Sequence, residues 1–115
     1  MSRIKVKRIY EDADPEDGRR VLVDRLWPRG VKKDRIDVWA KELAPSAELR
    51  GEFHDHDFDF DEFRARYRLE LEGKEDEMRE LLAGTDGTIT LLFGLRDERQ
   101  NNATVLAEAL DDLQS

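Results

Sequence analysis

A basic and aromatic segment, DRLWPRG at residues 24–30, is the first stretch whose residue types could bind a ligand. The guanidinium groups of Arg25 and Arg29 suit a carboxylate or a phosphate, and the flat indole of Trp27 suits a planar ring. We interpret the segment as an anion-binding loop. The alternative interpretation is structural, with Arg25 paired to an acid such as Asp97 and Trp27 closing a sheet edge.

A second candidate lies at residues 39–46. Trp39 and Lys41 are two residues apart, so in an extended segment their side chains point the same way. Lys41 beside an indole could receive an anion, and Ser46, as the N-cap of a helix, would leave backbone N–H donors for an anion at the helix start. The alternative is an ordinary helix cap and a tryptophan packed at the sheet edge.

Two acids and one amide complete the candidate chemistry. Asp24 and Asp97 each follow an apolar strand and are the candidates for acid–base catalysis. Asn101 stands at the start of the last helix, where it is either an N-cap or a contact to substrate. The only histidines, His54 and His56, lie far along the chain from any exposed serine elbow, so no Ser-His-Asp triad can be built.

The segment HDHDFDFDE at residues 54–62 resembles a metal site in composition, because it holds two imidazoles and five carboxylates. Asp59 and Glu62, however, are needed to begin a helix as a capping box. The segment also lacks the glycine that a calcium loop requires at its turn. We expect a solvated acidic turn without a metal, and no cofactor elsewhere.

Composition excludes several other classes of protein. The chain has 115 residues and no cysteine, which removes disulfides, thiolate nucleophiles and cysteine metal sites. No apolar run approaches the ~20 residues of a membrane span and no signal peptide opens the chain, so we expect a cytoplasmic protein without a membrane partner.

Charge also limits the expected partners. With 28 acidic and 20 basic residues the net charge is −8, which repels nucleic acid at long range. Nucleic acid is therefore not the expected partner. The basic residues concentrate in the first 35 positions, however, so a local basic face remains for an anionic small molecule. The oligomeric state is left open.

Hydrophobic periodicity predicts strands that alternate with helices, and hence an α/β fold. The apolar run at residues 21–23 has no alternation, which indicates a strand buried on both faces of a parallel sheet. We predict one domain over residues 1–115, a small three-layer α/β structure whose mostly parallel sheet has helices on both faces. The predicted strands cover residues 1–10, 20–25 and 87–95, an extended segment or short strand covers 34–43, and helices cover 46–54, 59–82 (bent at Gly73) and 101–113.

This topology predicts where the candidate residues meet. In open α/β sheets, ligands bind beyond the carboxyl ends of the strands. Two of the predicted strands end in charge directly after buried apolar residues, one at Asp24 and Arg25 and the other at Arg96 and Asp97. We therefore expect Arg25, Arg29 and Lys41 to lie in one cleft at this edge.

Four motifs carry a resemblance that covers the chain from Lys7 to about Leu113. They are VLVDRLWPRGVKKD, W-x-K-E-L-A-P-S-x-E-L-R, D-F-x-x-F-x-x-x-Y-x-x-E-L and Q-N-x-A-x-V-L. In this order they resemble the YeaO-like branch of a bacterial family of unknown function. The resemblance implies a small three-layer α/β domain, usually a standalone cytoplasmic protein with no established activity. More distant branches place cysteines where this chain has Gly94 and residues 100–102, so their thiol chemistry is not available here.

The leading functional hypothesis is a binder of an anionic small molecule or nucleotide-like ligand, with catalysis left open. One alternative is a non-catalytic interaction module that docks an acidic partner or nucleic acid through its basic face. A further alternative is a hydrolase of nucleotides or nucleic-acid bases that uses Asp24 or Asp97. The predicted ligand-binding residues are Arg25, Trp27, Arg29, Trp39, Lys41, Ser46 and Asn101.

Overall fold

The computed structural model describes residues 2–55 and 58–115. Within them, three strands are followed by three α-helices and then by a fourth strand and a fourth helix, so strands and helices do not alternate as predicted; loops and short 3-10 turns join them. The strands are β1 (Arg3–Arg8), β2 (Arg19–Leu22), β3 (Val38–Trp39) and β4 (Thr88–Phe93). The helices are α1 (Ala47–His54), α2 (Phe60–Glu72), α3 (Glu75–Ala83) and α4 (Asn102–Gln114). None of the helices described is long and apolar enough to cross a membrane.

The strands form one parallel sheet in the order β1-β4-β2-β3. The apolar strand β4 lies between β1 and β2, and in this register Thr90 stands opposite both Lys5 and Arg20. The predicted α/β class and parallel sheet are confirmed. Because all four strands run the same way, their carboxyl ends meet at a single edge of the sheet.

One face of the sheet packs against the α-helices and carries the main core. Alternate residues of β4, namely Ile89, Leu91 and Phe93, belong to this core and are buried. The predicted apolar stripe of α2 supplies Phe63, Tyr67 and Leu71. The other helices contribute Leu49, Met78, Leu81, Val105, Leu106 and Leu110.

The opposite face is covered by loops and by two 3-10 turns, Pro15–Asp17 and Lys33–Arg35. A smaller core of Ile9, Leu22 and Leu92 lies here, against partly buried side chains of the β2–β3 loop. Every α-helix contributes its buried apolar residues to the first face, so the helices that we predicted on both faces of the sheet lie on one.

Beside this smaller core, three cations surround one buried carboxylate; we call Asp17, Lys5, Lys7 and Arg20 the Asp17 cluster. The ammonium groups of Lys5 and Lys7 lie 3.3 and 3.2 Å from the Asp17 carboxylate, and the Arg20 guanidinium also donates to it. Burial raises the pKa of Asp17, but the hydrogen bond from the backbone N–H of Asp14 and the two lysines outweigh it and lower that pKa to about 2. The three basic residues of the cluster thus have a structural role, since each pairs with the one buried carboxylate.

The single helix predicted over residues 59–82 is two helices. Helix α2 ends at Glu72, and Lys74 leaves the helical conformation with φ −120° and ψ 21° before α3 begins at Glu75. Gly73 has a low helix propensity, and three acids in the first turn of α3 favour a new helix start there. This break places Lys74 in a connection rather than on a helix face.

Candidate functional site

The basic residues Arg25, Lys41 and Lys74 line one open cleft of about 660 Å³. Sites for small molecules usually measure roughly 300–1,000 Å³, so the cleft has the size of a ligand site. We call it the Arg25 cleft. Its other lining residues are Glu42, Ala44, Ser46, Tyr67, Glu70 and Leu71.

Three connections bring these cations together. Arg25 follows β2 and Lys41 follows β3, and these parallel neighbours end at the same edge of the sheet. Lys74 joins them from the break between α2 and α3. The cleft therefore lies where ligands bind in open α/β sheets, beyond the carboxyl ends of the strands.

The three cations of the cleft have no carboxylate within salt-bridge distance among residues 2–55 and 58–115. Lys41 instead places its ammonium nitrogen 5.1 Å from the ring centre of Trp39, a cation–π contact. On α2 and α3 the pattern is different, because Arg64, Arg66, Arg68 and Arg79 each pair with an acid.

An internal carboxylate occupies the start of α1 inside the cleft. The Ser46 backbone N–H donates to Glu70 Oε1 at 2.8 Å, and the Ser46 hydroxyl donates to Glu70 Oε2 at 2.6 Å. The hydroxyl oxygen in turn accepts from the N–H of Leu49 at 3.1 Å, which makes Ser46 the N-cap as predicted. Glu70, an acid of the chain itself, thus lies at the helix start where we expected backbone N–H groups to meet an external anion.

Tyr67 forms the buried floor of the cleft. Its hydroxyl donates to the carbonyl of Leu43 at 2.5 Å. Burial, with the nearby charges of Glu70 and Asp24, raises the pKa of Tyr67 well above its ordinary value. The phenol is thus held protonated and already hydrogen-bonded, which suits packing rather than proton transfer.

The two tryptophans contact each other and line a separate groove. Their rings pack edge to face with centres 5.4 Å apart, so no planar ligand can enter between them. Both indole N–H groups are used, because Trp27 donates to the carbonyl of Val31 and Trp39 donates to that of Asp24, each at 2.8 Å. The groove measures about 800 Å³ and is lined by Trp27, Val31, Lys32, Lys33, Ile36 and Trp39.

Arg29 does not line the Arg25 cleft or the tryptophan groove. It is exposed, and its backbone carbonyl accepts from the Tyr10 hydroxyl at 3.3 Å. Of the three cations expected in one cleft, the structure therefore brings Arg25 and Lys41 together and places Arg29 elsewhere.

Asp24 connects the ends of two strands to the last helix. Its carboxylate accepts from the Gly94 N–H at 2.8 Å and from the Asn102 side-chain amide at 3.1 Å. The same amide donates to the carbonyl of Val23 at 2.9 Å. Burial raises the pKa of Asp24, opposed by these two hydrogen bonds and by the charge of Arg50.

Asp97 and Asn101 shape the connection from β4 to α4. The exposed Asp97 carboxylate accepts from the N–H groups of Gln100 and Arg99, both at 2.9 Å, and these bonds lower the pKa of Asp97. Asn101 caps α4 by accepting from the Thr104 N–H at 2.9 Å, and its amide donates to the carbonyl of Asp97 at 3.0 Å. Neither residue lines the Arg25 cleft.

Three residues that line the Arg25 cleft, Lys74, Glu70 and Tyr67, were not among the predicted site residues, and the bridging role of the Asn102 amide was not predicted. A signal for two of them was the spacing Tyr67-x-x-Glu70-Leu71, in which an acid directly precedes a core leucine. An acid next to the apolar stripe of a helix predicts a carboxylate at the border of the core. Asn102 gave no comparable signal, since its partners Val23 and Asp24 are distant in sequence.

The acidic segment at residues 54–62 includes His56 and Asp57, which lie outside the described residues. Asp59 begins α2 as predicted, with its carboxylate accepting from the Glu62 N–H at 3.0 Å. In the part of the chain that the structure describes, no group of three or more histidines and acids is placed to hold a metal ion.

These features define a small α/β domain with a parallel sheet and a basic cleft at its carboxyl edge. A family model described as the inactive DUF488-N3 subclade matches residues 3–115, and the chain belongs to this family. It is 44% identical over 113 residues to the uncharacterized protein YeaO of Escherichia coli (strain K12), covering 96% of this chain and 98% of YeaO. It is 43% identical over 114 residues to an uncharacterized protein of Mycobacterium tuberculosis (strain ATCC 25618 / H37Rv), covering 96% and 95% of the two chains. The predicted YeaO-like relationship is confirmed, and no solved structure matches the chain.

Proposed function

We propose that this protein binds an anionic small molecule, carrying a phosphate or carboxylate as nucleotide-like ligands do, in the Arg25 cleft without converting it chemically. One observation carries the proposal. Three basic side chains line the same cleft, and no carboxylate of the described residues pairs with any of them.

The charges of the cleft favour an anion. Its lining holds three cations against two carboxylates, and one of these, Glu70, is already hydrogen-bonded to Ser46. Like charges that share a concave site repel one another, so an anion between them is attracted by all three. Arg25 supplies a fork that matches a phosphate or carboxylate, and the lysines add charge beside it.

The surroundings of the cleft support binding rather than catalysis. Tyr67 is held protonated by burial, and both Asp24 oxygens accept hydrogen bonds from the fold. The chain has no cysteine to act as a nucleophile. The description of its family as an inactive subclade agrees with this proposal.

A thermal-shift screen of nucleotides, sugar phosphates and dicarboxylates, followed by calorimetric titration of the best ligand, tests the proposal. We expect Arg25→Ala and Lys41→Ala each to weaken binding about tenfold, the loss of one charge-assisted contact. Arg29→Ala is the matched control, since it removes an exposed cation outside the cleft. Absence of binding, or an equal loss in the Arg29 variant, would contradict the proposal.

A second candidate, a module that docks an acidic protein partner, is favoured by one separate observation. Tyr10, Leu26, Trp39 and Leu95 are exposed, and each lies at or just beyond the end of a different strand. The four apolar side chains thus share the carboxyl edge of the sheet with basic residues of the β2–β3 loop. If a flat face docks a partner, Arg29→Ala should weaken binding as much as Arg25→Ala. If the cleft binds a small ligand, only Arg25→Ala should weaken binding.

A further inference from the structure

Glu70 is the one acid of the Arg25 cleft whose carboxylate is fixed in position. Two short hydrogen bonds from Ser46 hold it, and the start of α1 adds the favourable field of a helix amino terminus. Moving this carboxylate aside would leave the Ser46 donors without their acceptor. A ligand that enters the cleft therefore meets a negative charge that stays in place.

The carboxylate of Glu70 still has acceptor capacity. An ionised carboxylate offers about four lone-pair sites, and each Glu70 oxygen has one hydrogen bond from Ser46. The hydroxyl of Tyr67, which lines the same cleft, donates to Leu43 and does not fill the remaining sites. Glu70 can thus accept from a donor group of the ligand.

A purely anionic ligand would gain from the three cations but be repelled by Glu70. A ligand that also carries an ammonium group turns this repulsion into a charge-assisted hydrogen bond. Lys74 does not cancel the charge of Glu70, because the two form no salt bridge among the described residues. The cleft therefore presents cations to one part of a ligand and the Glu70 carboxylate to another part.

We infer that the Arg25 cleft selects a zwitterionic small molecule, whose phosphate or carboxylate contacts Arg25, Lys41 and Lys74 while its separate ammonium group donates to Glu70. The inference rests on the proposed function and names the ligand class of the same site. Glu70 acts as a specificity-determining residue, because it discriminates between anions that have this donor and anions that lack it.

Two matched probes test the inference by calorimetric titration of the full chain. O-phosphoethanolamine carries the ammonium group, and ethyl phosphate lacks it. We expect the wild type to bind O-phosphoethanolamine about tenfold more tightly, the equivalent of one charge-assisted hydrogen bond. Phosphocholine keeps the positive charge but has no N–H to donate, and we expect it to lose most of this gain.

Glu70→Gln is the decisive variant, because it removes the charge, while the amide oxygen can still accept from the Ser46 N–H and the amide NH2 can donate to the Ser46 hydroxyl oxygen. We expect it to bind the two probes with nearly equal affinity. Glu42→Gln is the matched control, since it removes the other acid of the cleft, and it should keep the preference. If Glu70→Gln fails to fold, the three probes on the wild type and on Glu42→Gln decide the question, because a preference that survives the loss of the Glu42 charge is assigned to Glu70.

The outcomes separate the two proposals. Equal binding of both probes to the wild type, with loss of both in Arg25→Ala, would overturn the zwitterion inference and leave the anion-binding proposal standing. A preference that survives Glu70→Gln, or disappears in Glu42→Gln, would also overturn it. Failure of the wild type to bind any of the probes or the screened anions would remove the proposed function, and the inference with it.

Discussion

The Asp17 cluster and the Arg25 cleft each gather three basic side chains, yet among the described residues only those of the cluster pair with a carboxylate. In the cluster, the fully buried Asp17 accepts from Lys5, Lys7 and Arg20. In the cleft, no carboxylate pairs with the cations in the described chain, and the better-placed acid, Glu70, is bound by Ser46. The same residue types therefore stabilise the fold in one region and remain available in the other.

Position in the sheet explains the difference. Lys5 and Arg20 lie within strands, opposite Thr90 in the register, where packing encloses their side chains and requires a partner for each charge. Arg25 and Lys41 lie beyond the strand ends, where solvent can hydrate an unpaired charge. The paired basic residues of the sheet, Lys5, Lys7 and Arg20, thus serve the fold, whereas Arg25 and Lys41 beyond its carboxyl edge are available to a ligand.

The largest expected effect comes from removing the counter-ion of the Asp17 cluster. Asp17→Asn keeps the size of the side chain but leaves three cations without their carboxylate. We expect the free energy of unfolding at neutral pH to fall by about 3 kcal/mol in chemical denaturation, as for other broken buried ion pairs. Glu75→Gln, which breaks the exposed pair with Arg79, is the control and should cost less than about 0.5 kcal/mol. Similar losses in both variants would mean that the cluster is not structural.

Acid should weaken the Asp17 cluster over a defined pH range. The folded pKa of Asp17 is about 2, below its ordinary value of 3.8. The contribution of its ion pairs to the free energy of unfolding is therefore complete above pH 3.8 and is lost as the pH falls through about 2. We expect the stability advantage of the wild type over Asp17→Asn to shrink by about 2 kcal/mol between pH 5 and pH 2. Both proteins retain Asp24, whose raised pKa has the opposite effect, so that contribution cancels. A constant difference across this range would contradict the ion-pair account.

Asn102→Ala tests the structural assignment of Asp24 at the carboxyl edge. The variant leaves the Val23 carbonyl and the Asp24 carboxylate without their shared donor. We expect a loss of about 2 kcal/mol in the free energy of unfolding, the usual cost of orphaned buried acceptors. Gln100→Ala, an exposed neighbour, is the control and should change stability by less than about 0.5 kcal/mol. Equal stability of Asn102→Ala and the wild type would return Asp24 to the candidate catalytic residues.

The smallest expected effect on stability is in the Arg25 cleft. Arg25 and Lys41 make no salt bridge with the described residues, so Arg25→Ala and Lys41→Ala should each unfold within about 0.5 kcal/mol of the wild type. Chemical denaturation at neutral pH measures this directly. A loss above about 1 kcal/mol in both variants would assign these residues to the fold and remove the contrast with Asp17.

Local sequence patterns predicted the strands and helices better than they predicted what packs on each face of the sheet. The apolar runs of β2 and β4 and the apolar stripe of α2 are local sequence patterns, and each of them forms the predicted type of element. The covering of the second sheet face could not be predicted, because loops and 3-10 turns have no hydrophobic period. The Asp17 cluster was missed for a related reason, since it joins a loop acid to strand cations that only the sheet register brings together.

The candidate site was predictable only in the part that parallel topology dictates. Arg25 and Lys41 follow neighbouring strands, and strand direction alone places both at one edge. Lys74 and Glu70 come from the other side of the cleft, and their placement depends on how α2 packs and where it ends. Arg29 was wrongly predicted in the cleft. The path of its loop depends on hydrogen bonds, from Tyr10 to the Arg29 carbonyl and from Trp27 to the Val31 carbonyl, that residue spacing does not predict.

We expect the unpaired cations beyond the strand ends to bind an anion and the paired cations within the sheet not to bind it. Backbone amide shifts in an NMR titration of the full chain with inorganic pyrophosphate test it most directly. We expect saturable shifts at Arg25, Lys41 and Lys74 and no shift at Lys5 and Lys7. Shifts centred on Lys5 and Lys7, or no saturable shift at millimolar pyrophosphate, would contradict it.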